Sequence, residues 1–224
     1  ELRLPVSHSV DDVLAAVSDG GAELGVVVAF GQIIKPHVLD VIPMVNIHFS
    51  LLPRWRGAAP VERALLAGDD VTGVCLMAVE EGLDTGGVYA RREVAIGAAT
   101  TAAELRAELV EVGTRLVVDT LAQPLDRWID RPEPQVGEVT HAAKFTASDF
   151  EIDWSKPTEE IHRLVRVGGA WTTFRDKRLK INAARLEDGV VVPTIVQPEG
   201  KAAMSFESWR LGARPTADEL FGSV

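Results

Sequence analysis

The stretch NIHFSLLPRWRGAAP, residues 46–60, joins a strand-like run to a loop with an unusual set of side chains. Asn46 and His48 stand two residues apart, and the loop that follows holds two prolines, two arginines and a tryptophan. If VNIHF (45–49) forms a strand, its side chains alternate between faces, so Asn46 and His48 point the same way. The sequence therefore predicts a polar pair near the carboxyl end of a strand, where open α/β sheets bind ligands.

Helical and strand patterns alternate around this stretch through the first half of the chain. The apolar runs at 26–30 and 72–80 indicate strands, the first of them covered on both faces. Thr101 with Glu104 forms a capping box before a helical pattern. This alternation predicts an α/β domain with a largely parallel sheet.

The sequence changes in character after residue 123. Residues 124–146 contain three prolines and no periodic apolar face, which is typical of a linker. One helical pattern and several strand-like pieces follow, and they predict a small β-rich second domain, of barrel type. The predicted domains are 1–123 and 147–224, on either side of this linker.

The net charge of −10 is unevenly distributed. Residues 1–139 carry 21 acidic and 11 basic residues, whereas residues 140–224 carry 12 of each. The acidic first part argues against nonspecific binding of nucleic acid there. The neutral second part contains the basic cluster RDKRLK (175–180), which fits either a solvated face or a surface for phosphate contacts.

The single cysteine argues against a disulfide-stabilised protein, and the scattered histidines argue against a zinc site. Cys75 lies in an apolar run, which predicts a buried core residue in a reducing compartment and no disulfide framework. His37, His141 and His162 are too far apart in sequence to indicate a zinc site with Cys75, so no metal is expected. Since no apolar run approaches the ~20 residues of a membrane span, we expect a cytoplasmic protein.

A carboxylate follows in EEGLDTGG, residues 80–87, where glycines flank Asp84 and allow close backbone approach. Asp84 could simply cap a turn, and Asn46 and His48 could be satisfied polar groups at a strand end. Together the three side chains also suit an acyl-transfer centre, because they offer oxyanion stabilisation and proton transfer. No Ser or Cys stands in an elbow motif, so the substrate would supply the nucleophile.

Residues 46–90, from NIHFSLLPRWRGAAP to EEGLDTGGVYA, resemble the methionyl-tRNA formyltransferases. These belong to the formyltransferase family that uses 10-formyltetrahydrofolate. The resemblance extends upstream into VVVAFGQIIKPHVLD and downstream into EIDWSKPTEEIHRLVR, GAWTTF and QPEGKAAM, so it spans nearly the whole chain. The broader family shares Asn-x-His and the distant Leu-Asp-x-Gly, whereas RWRGAAP points to the branch that acts on tRNA.

The resemblance implies a Rossmann-like catalytic domain followed by an OB-like barrel that binds tRNA. It implies that the α-amine of methionyl initiator tRNA attacks the formyl carbon, with Asn46, His48 and Asp84 as the catalytic residues. The residues implied to bind the folate donor are Phe30, Gly31, Gln32, Ile33, Ile34, Ser50, Leu51, Leu52 and Pro53. The candidate tRNA contacts are Arg54, Trp55, Arg56, Lys177, Arg178 and Lys180. Trp55 would either stack on a base or brace its loop, and a monomer is expected.

The sequence also departs from the family pattern. It begins at ELRLPVSHS, after the strand, glycine loop, helix and basic loop that open that pattern, so the predicted first domain lacks this unit. IPMVNIHF and VRVGGAWTTF are short, and the second domain has fewer strand-like pieces than expected. The alternatives are a sugar-nucleotide amine formyltransferase, a formyltetrahydrofolate hydrolase and a non-catalytic RNA-binding module.

Overall fold

The structure, a computed structural model, describes residues 9–31, 33–216 and 219 of the 224-residue chain. The helices of this part are α1 (Val10–Gly20), α2 (Pro36–Leu39), α3 (Pro60–Ala67), α4 (Ala102–Leu121), α5 (Thr158–Val167) and α6 (Phe206–Ala213). The strands are β1 (Gly25–Val27), β2 (Met44–His48), β3 (Arg56–Gly57), β4 (Val71–Ala78), β5 (Val88–Ala95), β6 (His141–Ala142), β7 (Trp171–Phe174), β8 (Lys177–Glu187), β9 (Val190–Pro198) and β10 (Met204–Ser205).

The chain divides into two compact units. The first contains the described residues up to Val61, then Val71–Ala95 and Ala107–Ala143. The second contains Glu62–Asp70, Ile96–Arg106 and the described residues from Lys144 onward. The domain limits drawn from the sequence stay a prediction.

The first unit is built on a four-stranded sheet with the order β1-β2-β4-β5. Strand β4 is the most deeply buried, because its sequence TGVCLMA is apolar on both faces. Helix α4 packs closely on one face: a Cβ at Gly113 would lie 3.3 Å from both Ile47 and Val74. The lack of a side chain at Gly113 therefore lets the helix approach β2 and β4.

The α/β prediction is confirmed, but the strand directions differ from the expected largely parallel sheet. Strands β1 and β2 are parallel, whereas β2/β4 and β4/β5 are antiparallel. The connection from β4 to β5 covers only residues 79–87, which is too short for a parallel crossover. Within the described residues, parallel pairing in this sheet is thus confined to β1 with β2.

Most of the predicted linker belongs to the first unit. Strand β6 pairs in parallel with β3, in a small separate sheet. Upstream of β6, Val88 and Glu133 exchange both backbone hydrogen bonds. Residues 124–143 are therefore tied to the first unit by backbone pairing, although their proline content suggested a linker.

The second unit contains a four-stranded antiparallel sheet with the order β10-β9-β8-β7. Its core includes Leu179, Ile181 and Val196 from the sheet, Ile161 from α5 and Trp209 from α6. The β-rich prediction is confirmed. In the described residues, however, the sheet is open rather than a barrel, because edge strands β10 and β7 do not pair with each other. Of the helices that the structure describes, none has the length and apolar character needed to cross a membrane.

His162 of α5 lies buried in the second unit among charged groups. It is 9% exposed and faces a small cavity that Arg163, Arg166 and Glu159 line from its own helix. Asp69 and Asp70 line the same cavity from the end of α3. Burial lowers the pKa of His162, the positive charge of Arg166 lowers it further, and a backbone hydrogen bond with Ala184 opposes both.

This lowered pKa predicts that the protein becomes less stable in mild acid. The unfolded chain binds a proton at His162 more readily than the folded one, so the stabilisation is complete above the unfolded pKa. It is lost as the pH falls below that value towards the folded pKa. We expect His162→Gln to flatten the change in the free energy of unfolding between about pH 8 and pH 5, as urea titrations would measure.

His37→Gln is the matched control, because His37 is exposed on α2. It should retain the pH dependence of the wild type. Equal pH dependence in wild type and His162→Gln would contradict the assignment to His162.

Candidate active site

Strand β2 presents Asn46 and His48 on one face of the sheet, as the sequence predicted. The residues opposite them on β4 are Met77 and Cys75. Ile47 lies on the other face, towards Gly113 of α4. The amide of Asn46 is half-buried and makes no hydrogen bond within the described part of the chain.

The loop after β2 folds back over this face. Leu52 packs in a buried cluster with Cys75, Met77 and Val88. Leu51 lies against Gly73, where a Cβ would come within 2.5 Å of the Leu51 side chain. Ser50 is fully buried and donates its hydroxyl hydrogen to the carbonyl oxygen of Arg54, 2.7 Å away.

These contacts limit how the predicted donor-binding loop can act. The side chains of Ser50, Leu52 and Pro53 are buried in the protein. A ligand at this loop would therefore meet mainly backbone groups and the half-buried Leu51. The loop would therefore bind a ligand through its backbone and its apolar surface, and not through polar side chains.

The imidazole of His48 is fixed from two sides. Its Nε2 atom lies 2.9 Å from the carbonyl oxygen of Trp55, and its Nδ1 atom lies 3.7 Å from Oδ2 of Asp84. A carbonyl oxygen can only accept a hydrogen bond, so Nε2 carries a hydrogen in this arrangement. The other ring nitrogen faces a carboxylate at a distance beyond a hydrogen bond. His48 is only 5% exposed, so few ring orientations are open to it.

Asp84 is held in an uncommon conformation. Its φ is +51°, in the left-handed region that non-glycine residues rarely adopt. Its Oδ2 atom accepts a hydrogen bond of 2.8 Å from the backbone N–H of Gly57. The turn after it needs glycine, because a Cβ at Gly86 would lie 2.0 Å from the carbonyl oxygen of Ala78.

Sequence reasoning missed two residues of the predicted linker that contact this site. Gln135 bonds the Arg56 guanidinium and the carbonyl oxygens of Asp84 and Gly86. The hydroxyl of Thr140 accepts a hydrogen bond from the backbone N–H of Trp55. Nothing in the local sequence singles them out, since their partners lie far away along the chain.

Neither nearby Ser nor Cys is arranged as a nucleophile. Burial raises the pKa of the Cys75 thiol, which keeps it protonated and unreactive at neutral pH. The hydroxyl of Ser50 is engaged with a backbone carbonyl. The site therefore matches the expectation that a substrate supplies the nucleophile.

The remaining predicted donor-binding residues follow β1. Val27 pairs with Asn46, so the chain leaves β1 at the edge of the sheet where Asn46 lies. Phe30 is half-buried, Ile33 is 70% exposed and Ile34 packs against the cluster around Val38. Gly31 is exposed, and Gln32 lies outside the described residues.

The candidate tRNA residues fall into two groups in different units. The guanidinium of Arg54 lies 4.4 Å from the ring centroid of Trp55, and Arg56 is bound to Gln135. In the second unit, Arg178 lies over the ring of Trp171, and Lys180 is directly opposite Trp171 in the sheet. Lys177 shares a face with buried Leu179, two residues on, so it lies on the face of the sheet opposite to Arg178 and Lys180.

The structure describes no cluster of metal ligands. Nowhere in residues 9–31, 33–216 or 219 do three or more His, Cys, Asp or Glu side chains gather in a group that could hold a metal ion. The expectation that no metal takes part stays a prediction.

Comparison with known proteins identifies the family. The formyl transferase model matches residues 4–121, and the model of the formyl transferase C-terminal domain matches residues 144–189. A methionyl-tRNA formyltransferase from Jannaschia sp. (strain CCS1) is 43% identical over 237 aligned positions, which cover 95% of this chain and 78% of the relative. The chain belongs to the formyl transferase family.

Two solved structures share the fold of this chain. Methionyl-tRNA formyltransferase from Clostridium thermocellum aligns with a TM-score of 0.64 and 20% identity, covering 85% of this chain and 82% of that one. HypX from Aquifex aeolicus, solved with tetrahydrofolic acid, aligns with a TM-score of 0.71 and 19% identity, covering 90% of this chain and 41% of its own. At these identities the likeness supports the fold alone.

Proposed function

We propose that this formyl transferase moves the formyl group of 10-formyltetrahydrofolate to the α-amine of methionyl initiator tRNA. The observation that carries the chemistry is the His48–Asp84 pair beside the unpaired amide of Asn46 in the described structure, with no nucleophilic side chain in place. The choice of methionyl-tRNA as the acceptor rests on the close relatives, which are named methionyl-tRNA formyltransferases. We also propose a cytoplasmic monomer, as expected from the sequence.

The donor fits the residues present. A flat folate ring needs apolar walls and a few convergent polar groups. Phe30 and Ile33 offer apolar surface after β1, and the loop at Leu51 offers backbone groups. Asn46 lies opposite Val27 on the neighbouring strand, and its side-chain amide would donate to the formyl oxygen of the donor.

Each residue of the site has a distinct role in the proposed transfer. As the amine nitrogen bonds to the formyl carbon, Asn46 donates a hydrogen bond to the oxygen on which negative charge develops. Asp84 holds the Nδ1 side of His48, so this pair accepts the proton that the amine loses. The pair returns the proton to N10, which keeps the electrons of the broken bond to the formyl carbon.

The reaction itself is tested with three acceptor conditions. The chain is incubated with 10-formyltetrahydrofolate and either methionyl-tRNA, a sugar-nucleotide amine or no acceptor. We expect formylmethionyl-tRNA and an equal amount of tetrahydrofolate. Formate release at the same rate without acceptor would favour a hydrolase, and product only with the sugar nucleotide would favour that branch.

Asn46→Ala should lower kcat by about a hundredfold or more, the scale observed when one oxyanion donor is removed. The KM values for donor and tRNA should change much less, because Asn46 acts mainly as charge develops. Steady-state kinetics with both substrates measure the two effects. A loss confined to KM would indicate a binding role instead.

Arg54 and Arg56 should respond differently to truncation, because only Arg56 is bonded to Gln135 in the structure. Arg54→Ala should lower kcat/KM for methionyl-tRNA, with a loss of transition-state stabilisation of about 1–3 kcal/mol, the cost of removing a hydrogen-bond partner. Arg56→Ala should have a smaller effect on transfer to methionyl-tRNA, because the Arg56 guanidinium is already engaged by Gln135. The ring of Trp55 supports its bracing role, because the guanidinium of Arg54 from the same loop lies 4.4 Å from the ring centroid.

The assays are formyl transfer and tetrahydrofolate binding. Arg115→Ala is a control for charge, because Arg115 is exposed on α4 and paired with Glu111. A parallel loss of tetrahydrofolate affinity in Arg54→Ala would place that arginine in the donor loop rather than against tRNA.

Arg178 and Lys180 are proposed to contact tRNA phosphates beside Trp171. They line an open groove of about 500 Å³ together with Thr173 and Gln197. Their double alanine variant should weaken tRNA binding and lower its salt dependence by about one unit of slope per lost contact. Lys177→Ala should have a smaller effect, because Lys177 lies on the other face.

Lys156→Ala removes one exposed charge elsewhere in the second unit and serves as the control. Binding measured over a salt series distinguishes the outcomes. An unchanged slope in the double variant would leave the basic cluster as a solvated face.

A further inference from the structure

One short segment anchors both loops that flank His48. This segment, residues 133–142, is called the clasp here. It contacts the loop after β2 through Thr140, whose hydroxyl accepts from Trp55 N–H at 2.8 Å and whose carbonyl accepts from Arg56 N–H at 2.9 Å. It contacts the loop after β4 through Gln135.

The side-chain amide of Gln135 uses its full hydrogen-bonding capacity. Its oxygen accepts from Nε and Nη2 of Arg56, at 3.0 and 2.6 Å. Its nitrogen donates to the carbonyl oxygens of Asp84 and Gly86, both at 2.8 Å. An amide has two donor hydrogens and two acceptor lone pairs, so this geometry fixes the side chain in one orientation.

The residues that the clasp holds are those that hold His48. Trp55 and Asp84 both have positive φ values, +64° and +51°. Such conformations cost about 1–3 kcal/mol and persist only when surrounding contacts enforce them. Thr140 contributes such a contact at Trp55, and Gln135 contributes one at the backbone of Asp84.

We propose that Gln135 is a positioning residue for formyl transfer, which acts by fixing the carboxylate of Asp84 relative to the imidazole of His48. This inference rests on the proposed transfer reaction. Gln135 acts through its two donor hydrogens, because these reach the backbone on both sides of Thr85 and set the direction of the Asp84 side chain. Its bond to Arg56 links the same amide to the loop that carries Trp55.

Two variants distinguish the hydrogen bonds that Gln135 donates to the backbone from those that it accepts from Arg56. Gln135→Met keeps the length of the side chain and removes all four hydrogen bonds. Gln135→Glu keeps the acceptor for Arg56 but cannot donate to the carbonyl oxygens of Asp84 and Gly86. Gln123→Met is the matched control, because Gln123 is exposed after α4 and its side chain makes no hydrogen bond within the described residues.

We expect both Gln135 variants to lower kcat by about 10- to 100-fold, since misplacing a catalytic group by about 1 Å has effects of this size. The KM values, the tetrahydrofolate affinity and the thermal unfolding midpoint should stay near those of wild type. Gln123→Met should match wild type throughout. Restoring the Arg56 partner alone, as Gln135→Glu does, should not restore kcat.

Three outcomes would overturn the proposal. One is an unchanged kcat in Gln135→Met. Another is near-normal kcat in Gln135→Glu, which would make the Arg56 bond the functional one. The third is a fall in tetrahydrofolate affinity and unfolding midpoint that matches the fall in kcat in both variants, which would make Gln135 a structural residue.

Tetrahydrofolate release is followed separately from formylation of the tRNA, so the proposed function is judged on its own. If wild type releases tetrahydrofolate but does not formylate methionyl-tRNA, the proposed acceptor is wrong. The role of Gln135 is then still read from the release rate. If wild type releases none, the proposed reaction and the positioning role both fail.

Discussion

The imidazole of His48, held between the Trp55 carbonyl and the Asp84 carboxylate, is the constraint on which the site depends. The carbonyl requires a hydrogen on Nε2, so the ring presents Nδ1 to the carboxylate. A proton transferred to this side of the ring would face the Asp84 carboxylate, 3.7 Å away. The same arrangement leaves Asn46 as the side chain with an uncommitted donor in the described structure, so charge stabilisation and proton transfer fall to different residues.

This constraint is established by residues far apart in the chain. Gly57 donates to the Asp84 side chain, Gln135 donates to the Asp84 backbone, and Thr140 accepts from Trp55. The two residues that flank His48 have strained backbones, which local sequence alone would not stabilise. The small β3/β6 sheet extends the same connection through regular backbone pairing. The first unit thus combines a rigid sheet with two loops that are fixed by a third segment.

The sequence predicted features that depend on local rules. Strand alternation placed Asn46 and His48 on one face, and the glycines around Asp84 indicated a tight turn. Strand direction in the first sheet was not predictable from periodicity, which is the same for parallel and antiparallel strands. Gln135 and Thr140 were missed because their partners lie 51 and 85 residues away and because prolines around them suggested a linker. Burial of Ser50 and Leu52 was likewise set by tertiary packing on β4.

Nitrogen NMR of the His48 imidazole tests the central constraint most directly. The chain has five histidines, and comparison with His48→Gln assigns the signals. In the neutral ring, the account predicts that Nε2 carries the hydrogen and that this hydrogen is protected from exchange by the Trp55 carbonyl. A neutral ring with its hydrogen on Nδ1, or an Nε2 hydrogen that exchanges freely with water, would contradict the account.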